Sequence, residues 1–489
     1  MSKRRLIMYN DARHFHMYIY EPPMRLEDAW RPIDEIAGTA VDTFAYGFGV
    51  GPTMFHDTKV GEIWGTRFEK LPNSVDWRAY ENIMSLIKRG HDPLNVILDR
   101  AHEKGLAFIG SLRLTHGSDP SDVETTHNWQ FKIDNPQWCL TGPGKYSFNW
   151  VYPEVRAERF ALIEETLNRY DVDGFEIDFA FSPYYFEPDE VDKNSHILTE
   201  FLRDVRRVAN EAAARRGRRI ELGARVLPTL EANLKVGFDL SAWLDEKMLD
   251  FLVPNVYGHL QTNAAFPFDD VLELAHAAGC EVYPALSEWI ERDGRKVSGV
   301  EHYRGAAASY WRRGADALYL PWFRWPVGAE QRQILTEIAD PQLLEERPKH
   351  YVVARNTPVK TPFIYRCPLP ITLTKGSDAP GQIVPLYIAD DPAKTSERVL
   401  SVRLSDATTR DSMSVYLNGE KLPESSRKTT LHTYQYLWHH YSLGPGILKR
   451  GHNEVGVALH RRPENLDSPV VLESVELQVR YANALNHRA

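Results

Sequence analysis

From residue 1 to about residue 345, eight short apolar runs alternate with eight stretches of helical periodicity, and few folds accommodate that alternation. The runs lie at 6–9, 41–48, 106–114, 174–181, 220–226, 251–257, 281–286 and 317–323. Helical patterns fall at about 26–36, 77–104 with a break at Pro93, 153–170, 195–215, 240–249, 269–278, 300–313 and 330–344, with glycine stop signals at Gly38, Gly105, Gly279 and Gly314. Eight strands each followed by a helix predict an α/β chain folded as a (β/α)8 TIM barrel with enlarged loops. An open doubly wound sheet is the alternative. Its usual nucleotide role needs a GxGxxG turn after the first strand or a phosphate loop, and neither is present.

At 489 residues the chain exceeds one ordinary core. The texture changes after the barrel pattern: residues 346–362 read as a linker, and 363–489 as an all-β sandwich, jelly-roll-like. Strand-like runs there lie at 383–388, 399–404, 414–419, 454–459 and 470–479, with a hairpin signal at Asn418-Gly419. Such a domain either buttresses the barrel or binds glycan itself. A net charge of -9 without a long Lys/Arg run argues against nucleic acid as a partner. Cys139, Cys280 and Cys367 are far apart, so neither a zinc knuckle nor a disulfide framework is expected. No stretch approaches the ~18 apolar residues of a membrane span, and the apolar segment near residue 6 is far short of a signal sequence. The expectation is a soluble, cytoplasmic protein with no membrane partner. The sequence does not fix its oligomeric state.

Within the fourth run, Phe175, Ile177 and Phe179 share one face of a strand while Glu176, Asp178 and Ala180 share the other. A parallel strand buried on both faces is ordinarily apolar on both, so two acids at alternate positions mark a functional break or an internal ion-pair network. In a TIM barrel the site lies at the carboxyl ends of the strands. Those ends carry Asn10 and Asp11, Arg113 and His116, Glu176 and Asp178, Arg225, Asn255 and Tyr257, Glu288 and Trp289, and Trp322. Strands three and five flank strand four, so Arg113 and Arg225 are in reach of the acid pair. If both arginines hold Glu176 as a counter-ion, Asp178 is left free for catalysis.

The second working carboxylate is expected at Glu288, after the seventh strand. Paired carboxylates across a barrel mouth suit glycosidic hydrolysis, one protonating the leaving oxygen and the other acting as nucleophile or base. Asn10, Asp11, Arg113, His116, Arg225, Asn255, Tyr257, Trp289 and Trp322 are then substrate-binding candidates, with Trp289, Trp322 and the aromatic loop at 129–150 offering stacking surfaces. The predicted partner is an oligosaccharide, polysaccharide or glycoside, as in polysaccharide degradation. Two other readings stay open: a non-catalytic glycan-binding barrel, and a lyase or isomerase acting on acidic sugars, with the arginines binding a carboxylate and His116 or Tyr257 moving a proton. His14 and His16 after strand one invite a metal reading. The companion ligands it needs are replaced by Arg225 and Trp322, with only His259 in place, so no metal and no cofactor are expected.

The stretch Asp173-Gly174-Phe175-Glu176-Ile177-Asp178-Phe179-Ala180 resembles the strand-four signature of glycoside hydrolase family 18, with Ala180 standing where that family has its catalytic Glu. Chitinase-type, substrate-assisted hydrolysis is therefore not implied. The chain is more similar to the glycosyl hydrolase-like 10 group of bacterial barrel proteins. The likeness is carried by Tyr170 through Asp178, Gly223-Ala224-Arg225-Val226-Leu227-Pro228, Gly237 through Leu244, and Leu252 through Tyr257, and spans roughly residues 1–345. That resemblance implies a barrel and glycoside hydrolysis without naming a sugar. Acids on strands four and seven are also similar to those of the large clan of retaining barrel glycosidases.

Overall fold

The structure is a computed structural model describing residues 6–50, 53–256, 262–291, 296–323, 325–353, 355, 367–432, 436–444 and 446–482, with backbone alone at 14, 15, 50, 291 and 296. It divides into two compact units. The first comprises Met1–Tyr257, Phe268–Ala285 and Tyr319–Val327; the second comprises Gly258–Pro267, Leu286–Leu318 and Gly328–Ala489.

The first unit is built on one curled sheet of eight strands: β1 (Leu6–Asn10), β2 (Thr43–Gly47), β3 (Ala107–Arg113), β4 (Gly174–Asp178), β5 (Glu221–Val226), β6 (Phe251–Pro254), β7 (Glu281–Val282) and β8 (Leu318–Leu320). Their order is β7-β6-β5-β4-β3-β2-β1-β8, with parallel register from β1 through β7. An isolated parallel bridge joins Ala285 to Tyr319 of β8. The second to eighth strands fall inside the expected apolar runs and the first runs one residue past its own, to Asn10; the sixth stops at Pro254, and its expected end at Tyr257 lies outside the described residues.

Local chemistry sets the helix ends. The long helix expected over 77–104 is two helices, Ser74–Lys88 and Pro93–Glu103. Asn73 caps the first through the backbone N–H groups of Val75 and Asp76, and Asp92 caps the second with Pro93 at its first position. Val191–Arg216 ends at Gly217 with φ 66°, a left-handed conformation that glycine adopts at little cost. Inside the sheet, Gly47 and Gly223 are small for a different reason. A Cβ on Gly47 would lie 2.2 Å from the Tyr9 hydroxyl, and one on Gly223 would lie 2.0 Å from the Phe251 ring.

The second unit contains the all-β region, in two antiparallel sheets. The larger runs Lys349–Val352, Val471–Arg480, Glu397–Ser405, Tyr436–Ser442 and Arg427–His432, with Ile371–Thr372 paired to Val471–Arg480. The smaller runs Gln382–Ile388, Gly451–Arg461, Ser412–Leu417 and Glu420–Lys421. Alternate residues from both sheets, among them Leu386, Leu400, Val402, Val415, Val457 and Leu477, share one apolar core. Asn418 and Gly419, both at positive φ, make the expected hairpin turn.

The stretch 346–362, expected as a linker, contributes the strand Lys349–Val352, and residues 354 and 356–362 lie outside the described residues. The strand is hidden in the sequence because its polar residues are buried with partners: Lys349 pairs with Asp390 at 2.6 Å and His350 with Glu476 at 2.8 Å. The strand Arg427–His432 likewise carries no strand signature in the sequence. It is the edge strand, exposed on both faces, so apolar alternation has nothing to mark.

Candidate active site

Register decides which side chains meet. Asp178 is level with Arg113 on β3 and Arg225 on β5, while Glu176 is level with Ser111 and Gly223. Neighbours in a parallel sheet at the same level share a face, so these side chains all lie on the inner side with Tyr9, two residues before Asp11. The expectation that both arginines hold Glu176 and leave Asp178 free is therefore corrected. Arg225 Nε donates to Glu176 Oε1 at 3.1 Å, its Nη2 bonds Glu176 as well, and its Nη1 lies 3.1 Å from Asp178 Oδ2. Arg113 turns to the other acids, Nε at 4.0 Å from Asp178 Oδ2 and Nη2 at 3.9 Å from Asp11 Oδ2.

The cluster is closed by residues not singled out beforehand. Ser111 Oγ donates to Glu176 Oε1 at 2.9 Å, and Arg225 Nη2 donates to the Tyr319 hydroxyl at 2.6 Å. The rings of Tyr9 and Tyr319 lie 4.4 and 5.0 Å from the Arg225 guanidinium carbon, and Phe181 lies 4.2 Å from that of Arg113. Tyr9, Ser111 and Tyr319 look like ordinary strand residues. Counting back two positions from Asp11 and Arg113 is the signal that would have found the first two.

Asp178 is fully buried. Burial raises its pKa above the usual carboxylate range, against the opposing charge of Arg225, and Glu176 adds to the rise. Its Oδ1 accepts the Phe181 backbone N–H at 3.0 Å. Its Oδ2 stands at ion-pair distance from Arg225 but accepts no hydrogen bond. The Tyr9 hydroxyl, pushed up to about 12 by burial, stays protonated and has no hydrogen-bond partner. Burial works against the charge of Arg225, yet Asp178 and Glu176 hold it protonated.

Asn10 and Asp11 do different jobs. The Asn10 side chain accepts the Ala12 backbone N–H at 2.8 Å, fixing the turn after β1. Ala12 sits at φ 57°, ψ -42°, with Arg13 N–H bonded to the Asp11 carbonyl, a γ-turn strained for a non-glycine residue. That turn holds the Asp11 carboxylate against Arg113 and against Arg13, at 3.6 Å. His116 stacks between His127 and Phe181, with ring centroids 5.7 and 6.2 Å away. Burial pushes it down to about 3, so it is neutral. Buried Lys132 holds the His116 and Ser118 carbonyls at 2.9 and 2.6 Å. Trp322 lies 6.0 Å from the Arg113 guanidinium carbon.

Asn255 continues β6 on the same inner face, its backbone N–H bonded to the Val226 carbonyl at 2.8 Å. Tyr257 and His259 lie outside the described residues, as does the side chain of His14. Glu288 and Trp289 belong to the second unit. There the Glu288 carbonyl accepts Ser298 N–H at 2.8 Å and the Trp289 carbonyl accepts Thr262 N–H at 2.6 Å, beside a short hairpin of Trp289–Glu291 and Lys296–Val297. The aromatic loop does not offer open platforms along its length. Trp129, Phe148 and Trp150 are buried, and Phe131 packs on Trp138 and Phe148. Among the described residues, no group of three or more His, Cys, Asp or Glu is arranged to hold a metal ion, and no helix is long and apolar enough to cross a membrane.

Residues 69–200, which include β3 and β4, match the family model described as Glycosyl hydrolase-like 10. Over 101 residues the chain is 25% identical to glycosyl hydrolase DigH of Escherichia coli strain K12, covering 19% of this chain and only 23% of that protein's length. Two solved structures are similar at a TM-score of 0.43. Alpha-L-fucosidase isoenzyme 2 from Paenibacillus thiaminolyticus is 14% identical, over 69% of this chain and 48% of its own. The PgaB (BpsB) glycoside hydrolase domain from Bordetella bronchiseptica is 13% identical, over 69% of this chain and 98% of its own. At that depth neither lends its activity to this chain. The similarity to the Glycosyl hydrolase-like 10 family thus lies on residues 69–200, the segment that carries β3, β4 and the acid pair Glu176 and Asp178.

Proposed function

We propose that this chain is a carbohydrate-active enzyme that hydrolyses a glycosidic bond, its eight-stranded sheet working as a (β/α)8 barrel and Asp178 acting as the acid at the carboxyl ends of the strands. One observation carries the reading: Asp178 is wholly buried, its pKa is raised, and its Oδ2 accepts no hydrogen bond although an arginine faces it at 3.1 Å. Glu176 is as deeply buried and its Oε2 also lacks a hydrogen bond, but its Oε1 takes both Arg225 and Ser111, whereas Asp178 accepts only the Phe181 backbone N–H. A protonated Asp178 would give its proton to the leaving oxygen as the bond to the anomeric carbon breaks, and Arg225 would stabilise the carboxylate left behind. Glu288 is proposed as the second carboxylate, activating water or attacking the anomeric carbon itself. The family match over β4 supports the same reading.

An acidic-sugar lyase or isomerase is less well supported. Arg225 is already engaged by Glu176, Asp178 and Tyr319, and a neutral His116 with so low a pKa is a weak proton carrier. The test is release of reducing ends from a polysaccharide panel, with NMR of the first-formed anomer separating retention from inversion. Loss of release in both Asp178→Asn and Glu288→Gln is expected. A variant that keeps wild-type turnover removes its residue from the mechanism.

A further inference from the structure

We propose that Asn255 reads the substrate, gripping two neighbouring hydroxyls of a sugar ring through its side-chain amide. The inference rests on the sugar-directed reading above and adds its recognition group. Val253 is in register with Arg225 and Pro254 with Val226, and the Asn255 N–H continues that ladder to the Val226 carbonyl at 2.8 Å. By the period of two, Asn255 falls on the inner face with Arg225, one pleat nearer the carboxyl end than the level of Arg113, Asp178 and Arg225.

The side chain there is only 1% exposed, and neither its Oδ1 nor its Nδ2 has a hydrogen-bond partner. A buried amide left unpaired costs stability that an apolar residue of similar volume would not, so a fold that keeps one keeps it for something that arrives later. The chemistry of the occupant follows from the amide. It offers an acceptor and a donor side by side, in one plane and without charge. A carboxylate or phosphate could use only the donor, and an ammonium group only the acceptor. Adjacent ring hydroxyls each donate and accept, so they satisfy both atoms at once. An acetamido substituent presents the same donor–acceptor pair and must be separated by experiment.

Asn255→Leu keeps the volume and removes both polar atoms. If the amide waits for a ligand, the ligand-free full chain of this variant should melt about 2–4 °C above wild type; a lower Tm means that the amide holds the fold and overturns the proposal. Wild type and variant are then melted with saturating D-glucose, D-galactose, D-mannose and N-acetyl-D-glucosamine. At least one of the three plain hexoses should raise the Tm of wild type and of Asp178→Asn, with no rise in Asn255→Leu. A rise with N-acetyl-D-glucosamine alone overturns the hydroxyl assignment, and no rise with any sugar overturns the proposal. Equal rises in wild type and Asn255→Leu overturn the role of Asn255 while leaving the sugar reading intact. Conversely, wild-type turnover in Asp178→Asn with an Asn255-dependent sugar shift removes the catalytic assignment and keeps this one.

Discussion

The two ends of β4 each carry an aspartate, and they are held in opposite ways. Asp173, immediately before the strand, has both carboxyl oxygens hydrogen-bonded. His102 Nε2 lies 2.8 Å from its Oδ2, Phe108 N–H donates to the same oxygen at 2.8 Å, and Arg218 Nη1 donates to Oδ1 at 2.8 Å. Burial works to raise its pKa, but the bonds from His102 and Phe108 and the charge of Arg218 outweigh it and hold the carboxyl below the usual range. Asp178, at the other end, is buried more completely, has one oxygen without a hydrogen bond, and is pushed the other way. Depth alone does not separate a structural acid from a working one; what separates them is how many of the lone pairs are already taken. On the proposed reading, Asp173 before β4 serves stability and Asp178 at its carboxyl end serves chemistry, the division expected of strands in a (β/α)8 barrel.

The comparison breaks if the two acids can be exchanged in effect. Asp178→Asn should lower kcat by about 10²–10⁴-fold, the range for loss of a general acid, while its Tm does not fall below that of wild type. Turnover and melting measured on one preparation check both halves. Arg225→Met should act on stability instead, by about 3–5 kcal/mol in urea unfolding, because it leaves Glu176 and Asp178 buried without their cation. A loss below 1 kcal/mol would mean that the arginine is not what holds the pair. Asp173→Asn should cost about 2–3 kcal/mol through weakened charge-assisted bonds, with turnover per folded molecule retained. The pH dependence should differ in sign. The folded pKa of Asp173 is lowered, so its stabilisation is present above the unfolded value of about 3.9 and is lost as pH falls through the folded value. The folded pKa of Asp178 is raised, so its cost is absent below the unfolded value and grows as pH rises through the folded one. Stability differences between wild type and each variant, followed from acid to neutral pH, should therefore run in opposite directions.

Much of this strand is legible in the sequence because Glu176 and Asp178 interrupt an apolar run at alternate positions, which only a strand with a special inner face explains. The same logic places Arg113 and Arg225 on the neighbouring strands. What the sequence does not carry is register. Nothing in the residue order says that Asp178, rather than Glu176, is level with both arginines, and that one fact moves Arg113 from Glu176 to Asp178 and Asp11. Tyr9 and Tyr319 escape notice because an aromatic residue in a strand reads as core until the cation above its ring is known. The loop at 129–150 misleads in the opposite sense. Its rings look like sugar platforms, but Trp129, Phe131 and Phe148 pack on one another because so long a connection needs a small core of its own. Polar edge strands such as Arg427–His432 stay hidden because neither face must be apolar.

The smallest effect tests the amino-terminal end most specifically. The hydrogen bond to Asp173 raises the pKa of His102, with burial opposing it. The raised folded value gives the sign: stabilisation from the charged pair is complete below the unfolded value of about 6.5 and disappears as pH rises through the folded value. His102 keeps about a third of its side chain in solvent, at 32% exposure, so screening limits the contribution to less than about 1 kcal/mol. Urea unfolding of wild type and His102→Gln should show a gap near pH ~5.5 that closes by pH ~9. In an Asp173→Asn background the gap should be reduced to that of a neutral hydrogen bond at every pH, since the charge that raises the pKa is gone. In an Asp178→Asn background it should persist unchanged. A gap that responds to Asp178 would mean that the two ends of β4 share one electrostatic network, and the contrast between a structural and a working aspartate would have to be abandoned.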